Sequence, residues 1–75
     1  LKSHDVTPNE FYSKTLAILE PLAAQGGDYA QFQLGQMYKL GQGVKQDKAK
    51  ALELFQMAAV QGNKNAKIQA EFLLK

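Results

Sequence analysis

An internal repeat constrains this chain more than any other feature. Shifted by 36 residues, the stretch LAILEPLAAQGGDYAQFQL, beginning at Leu16, falls on LELFQMAAVQGNKNAKIQA, beginning at Leu52. Leu16 meets Leu52, Ala23 meets Ala59, Gln25-Gly26 meets Gln61-Gly62, Ala30 meets Ala66 and Gln33 meets Gln69. A period of this length in a chain that reads as helical is the mark of a solenoid of stacked helix pairs. One pair cannot bury its own apolar stripe, so each needs a neighbour.

Size and composition point the same way. A chain of 75 residues buries only about 60% of its unfolded surface, so it needs outside help to be stable. There is no cysteine, which removes disulfides and thiolate metal sites. The single histidine, His4, lies in a polar N-terminal stretch and makes no zinc site. A neighbouring module is the remaining source of stability. The chain begins with Leu1 rather than Met, which points to a fragment or a processed product.

Four helices are expected and no strand, because β-branched residues are few and no run alternates. The first opens at Thr7-Pro8-Asn9-Glu10, with Thr as N-cap, Pro at the first helical position and Glu three residues after the cap. Phe11, Thr15, Leu16, Leu19, Leu22 and Ala23 recur at helical spacing until Gly26-Gly27 stop it. Pro21 removes the backbone bond to Ala17 and should kink it. Asp28 is expected to cap a second helix running to about Leu40, Asp47 a third ending near Gln61, and Asn63 a fourth running to the C-terminus.

The stretch LGQMYKLGQGVKQD, Leu34 to Asp47, poses a choice between a phosphate-cradling loop and a turn. A phosphate loop follows a strand, opens a helix and carries a full G-x-x-x-x-G-K-[ST] or G-x-G-x-x-G pattern. GQGVKQD follows a helix, lacks the third glycine and puts Asp47 where an anion would approach. Gly41 instead suits a left-handed C-cap. Gly35 lies beside the core stripe of Ala30, Leu34, Met37 and Tyr38, where a helical glycine is expected to let another backbone approach closely. The glycines are read as punctuation.

With these residues placed, the chain resembles the Sel1-like repeat family, relatives of tetratricopeptide arrays. The shared pattern is Ala30, Leu34-Gly35, Met37-Tyr38, Gly41-x-Gly43-Val44, Asp47, Ala51, Ala58-Ala59, Gly62 and Ala66. The resemblance implies an all-α fold, an α/α superhelix of about two stacked helix pairs built from four helices. Within a single domain over 1–75, residues 28–63 are read as one full repeat. Residues 8–27 are read as the second helix of a preceding repeat and 64–75 as the first helix of a following or terminal one. There the match weakens, since Gly35 and Tyr38 correspond to Glu71 and Leu74. The resemblance further implies a scaffold for protein complexes, often in bacterial surface, secretion or signalling contexts.

In such arrays the first helix of each pair lines the concave, binding surface. On helix 28–40 the face away from the core stripe carries Tyr29, Phe32, Gln33, Gln36 and Leu40. On the last helix, Ile68 and Phe72 share a face, distinct from the expected core of Ala66, Ala70, Leu73 and Leu74. Phe32, Ile68 and Phe72 are therefore read as an apolar row edged by glutamines, with Tyr29, Phe32, Gln33, Gln36, Ile68 and Phe72 as the candidate protein-binding residues. The competing reading is that these side chains pack against each other or against another repeat.

The chemistry expected of an enzyme is missing. Ser3 and Ser13 have only His4 as a base, and Glu10, Glu20, Glu53 and Glu71 are scattered over different helices. No catalytic residue, cofactor or metal ligand is assigned. Nine basic against seven acidic residues, without a basic stripe interleaved with aromatics, do not describe a nucleic-acid binder. No apolar run approaches the ~20 residues of a membrane span. The expected function is a non-catalytic module binding another protein or peptide on a curved helical surface. The alternative is a structural segment that stacks on another copy or on neighbouring repeats.

Overall fold

The computed structural model describes residues 8–75. Four helices follow one another: α1 (Pro8–Ala24), α2 (Asp28–Leu40), α3 (Lys48–Val60) and α4 (Lys64–Leu73). No strand occurs among the described residues. Each helix packs on the next in chain order, giving a slab with extents of 46 × 26 × 16 Å. This is the stacked arrangement that the 36-residue period predicts.

Local chemistry sets most helix ends. α1 begins at Pro8, as its fixed φ favours; the expected cap Thr7 lies outside the described residues. Asp47 Oδ1 accepts from the Lys50 N–H at 3.0 Å and Asn63 Oδ1 from the Ala66 N–H at 2.9 Å, so both predicted caps form. Gly41 ends α2 in the left-handed conformation, φ 71°, and its N–H donates to the Met37 carbonyl.

The expected cap of α2 is displaced. Gly27, not Asp28, holds the N-cap position, without a side-chain cap bond. The chain doubles back so tightly that a Cβ on Gly27 would lie 3.0 Å from the Leu22 carbonyl oxygen. Asp28 is already helical, and its carboxylate accepts from Asn63 Nδ2 at 3.1 Å. A side chain expected to serve its own helix therefore ties α2 to the start of α4.

Two apolar clusters fill the interior. One gathers Ala51, Phe55, Ala58, Ala66 and Ala70 between α3 and α4, with Phe32 and Tyr38 packed against it from α2. The other joins Ala23, Ala30, Leu34 and Leu54, with Leu16 and Leu19 against it. Phe55 is the largest fully buried side chain. Its ring explains Gly35, where a Cβ would meet Phe55 Cε1 at 2.8 Å and Cδ1 at 2.9 Å. The close approach expected at Gly35 is thus to an aromatic ring, not to a backbone. Small residues on α3 and α4 let the helices draw together around that ring.

Some expected core positions are open. Leu74, assigned to the core by its spacing from Ala70, is exposed, because it follows the last helical residue of α4, Leu73, and no described residue packs over it. On α1, Leu16, Leu19 and Ala23 face α2, whereas Phe11 and Leu22 of the same periodic set are exposed, as is Ile18.

One buried polar side chain crosses the interior. Gln31, only 2% exposed, donates through Nε2 to the Ala23 carbonyl at 3.1 Å and accepts from Gln61 Nε2 at 2.8 Å. It links the end of α1, the body of α2 and the turn after α3, which satisfies an amide that would otherwise be costly to bury.

Candidate functional site

α2 and α4 lie side by side and run in the same direction. Their starts are joined by Asn63 and Asp28, and their second halves by Lys39, whose ammonium donates to Gln69 Oε1 at 2.7 Å. The same ammonium stands 5.4 Å from the centre of the Phe72 ring, within the range of a cation–π contact. Phe72 is itself 62% exposed. Leu40, also exposed, follows Lys39 on α2.

The six residues read from the sequence fall into three groups. Gln36 and Phe72 belong to the α2–α4 face, and Gln36 Oε1 is buried without a hydrogen-bond partner among the described residues. Phe32 is half-buried between the helices, its ring 5.7 Å from that of Phe55, so most of it is spent on the core. Tyr29 and Gln33 pair with each other, Gln33 Nε2 donating to the Tyr29 hydroxyl at 2.7 Å, and look toward α1 rather than α4. Ile68 is 59% exposed on the free side of α4. The structure therefore divides the candidate residues between two grooves and a free helix face.

The second groove runs between α1 and α2. Two adjoining hollows, of about 320 and about 590 Å³, share Leu19 and Tyr29. Phe11 and Tyr12 line the upper one, Ile18 and Leu22 the lower, and Gln33 and Gln25 supply the polar groups. Sequence reasoning missed this groove because helical spacing groups Phe11, Leu19 and Leu22 on α1 without showing which of them a neighbouring helix covers. It also missed Lys39, whose role depends on a contact 33 positions away, from Lys39 to Phe72. No local pattern signals such a contact.

Among the described residues, no group of three or more His, Asp or Glu side chains converges as a metal would require. No helix among the described residues is long and apolar enough to cross a membrane.

Helices stacked in chain order, a repeat carried from one pair to the next and one face shared by alternate helices define an α/α solenoid of the interaction-repeat class. Residues 28–63, which span α2 and α3 with their turns, match the family model of the Sel1 repeat. That segment is a Sel1 repeat. Sel1 repeats generally mediate protein–protein interaction and are non-catalytic. No curated protein and no solved structure matches the chain.

Proposed function

We propose that this chain is a non-catalytic adaptor module that binds a partner protein on the face shared by α2 and α4. Its core is one complete repeat, 28–63. On this reading α1 is the second helix of a preceding repeat and α4 the first helix of a following one. The observation that carries the binding assignment is Phe72: a large aromatic side chain left mostly in water, with the Lys39 ammonium over its ring and Leu40 on the adjoining helix. Aromatic anchors flanked by a cation and amides are what protein interfaces concentrate at their energetic centres. Packed helices hold these groups in place, so little conformational freedom is lost on binding.

The test is selection of peptide ligands from a displayed random library on the wild-type chain, followed by rebinding to variants. Phe72→Asp and Lys39→Glu should abolish rebinding. Val60→Asp, at the most exposed apolar residue of α3, should leave it intact. Ligands that rebind Phe72→Asp as well as wild type would refute the assignment of this face.

A further inference from the structure

The α1–α2 groove has an occupant whose shape the molecule itself displays. Inside the chain, the groove between α3 and α4 is filled by α2. Phe32 packs on the cluster of Ala51, Phe55 and Ala58, the Phe55 ring fills the space at Gly35, Lys39 bonds Gln69, and Gln61 bonds Gln31. Shifted back by 36 residues, α3 and α4 fall on α1 and α2; shifted forward by the same period, the seated α2 falls on α4. The groove between α1 and α2, which no described residue fills, is therefore the register equivalent of the filled one. The helix that matches its register is α4, whose corresponding face no described residue covers.

We infer that α4 of one copy seats in the α1–α2 groove of a second copy, so that two half-repeats complete a whole repeat between molecules. This rests on the reading of α1 and α4 as half-repeats.

The side chains agree with the register. Seat and helix are both apolar and exposed: Ile18 and Leu22 in the groove, Ile68 and Leu74 on α4. Their volumes change in opposite senses relative to the internal interface. Where the internal pair is Gly35 with Phe55, the intermolecular pair is Glu71 with Leu19, so a side chain appears on α4 and a ring shrinks to an aliphatic group on α1. Where the internal cluster sets Phe32 beside Ala51 and Ala58, the copy would set Ile68 beside Thr15 and Leu22, trading bulk from the seated helix to the groove. Offsetting changes of this kind keep a core at its packing density.

The polar links carry over as well. In sequence, Lys39 with Gln69 corresponds to Lys75 with Gln33, the same donor and acceptor, with Lys75 just past the C-cap of α4. Gln31 with Gln61 becomes Lys67 with Gln25, an ammonium facing an amide oxygen. Because the seat and the seated helix are different surfaces, the contact is head-to-tail and does not close on itself. The product is a growing string of copies, a longer superhelix assembled from short chains.

The experiment is sedimentation equilibrium of the full chain from micromolar to millimolar concentration, with two blocking variants. Wild type should rise in mass past a dimer without a plateau. Ile18→Glu, which blocks the groove, and Ile68→Glu, which blocks the helix, should each stay monomeric. Mixed in equal amounts, they should form a dimer and nothing larger, because each supplies the surface that the other retains. Glu71→Ala should shift wild-type association to lower concentration. A wild-type chain that stays monomeric throughout overturns the proposal, as does a mixture that stays monomeric while wild type associates. Two copies fused end to end separate this outcome from failure of the half-repeat reading. If the fusion melts in one transition above the single copy, the half-repeats are complementary even though free copies do not assemble. If each half melts as the single copy does, that reading falls too.

Discussion

Replacing Gly35 by alanine sets two well-defined effects against each other. Alanine is the better helix former, by about 1 kcal/mol, and at an exposed position the change would stabilise α2. Here the added methyl carbon would stand 2.8, 2.9 and 3.2 Å from three atoms of the Phe55 ring. Relief requires the ring or a helix to move, yet Phe55 is fully buried, with small residues of α3 and α4 packed around it. Forcing a methyl group into such a core costs about 1–3 kcal/mol, and overlap with three ring atoms places this site at the upper end. The net expectation is a loss of about 2 kcal/mol. In a domain of this size that lowers Tm by about 10 °C, read by circular dichroism at 222 nm. Phe55→Leu alone should also destabilise, by about 1–2 kcal/mol, through the cavity it leaves. Combined with Gly35→Ala it should cost less than the two single losses added, because the methyl group then fills the vacated space. If Gly35→Ala raises Tm, the ring is free to yield and the steric account of this glycine is wrong.

Other changes test the remaining links. Asp47→Ala removes the α3 cap and should cost about 1 kcal/mol, seen as a lower urea midpoint with an unchanged slope. Asn63→Asp keeps the cap acceptor but sets a carboxylate against that of Asp28, now 3.1 Å from the Asn63 amide; it should be less stable than wild type, and Asp28→Asn should recover the loss. Gln31→Leu removes the side-chain bond to the Ala23 carbonyl, which keeps the Gly26 N–H as a donor, and should cost about 0.5–1.5 kcal/mol, measured by thermal melting. Lys50→Ala breaks only the exposed 3.7 Å pair with Glu53 and should change stability by less than about 0.5 kcal/mol.

The legible parts of this fold are those governed by neighbours in sequence. Caps at Asp47 and Asn63 declare themselves because an Asn or Asp oxygen reaches only the next turn. The helix periods and the repeat declare themselves because they are spacings. Asp28 defied the same logic, since the tight return of the chain at Gly27 moved the cap and released the carboxylate to a partner 35 residues away. Gly35 was visible as an anomaly but not as a ring socket, because the ring lies 20 positions on, at Phe55. The candidate row of Phe32, Ile68 and Phe72 followed from helical wheels alone. A wheel states which residues share a face, not which neighbour stands beside it. α4 lies along one edge of α2 and no described residue lies along the matching edge of α4, so equivalent positions have unequal surroundings. The groove on α1 was hidden for the same reason.

Stacking in strict chain order has a kinetic consequence. The main interfaces join helices adjacent in sequence, and the side-chain links between α2 and α4 are the exception, so few long loops must close before contacts form, and folding should be fast for a chain of this size. Nor does one event have to open the whole. The α2–α3 pair around Phe55 is flanked on both sides, whereas α1 and α4 are the outer helices among the described residues. Amide protons should therefore exchange in a gradient, quickest in the outer helices and slowest in the middle of α3, as the two ends peel and re-anneal independently of each other.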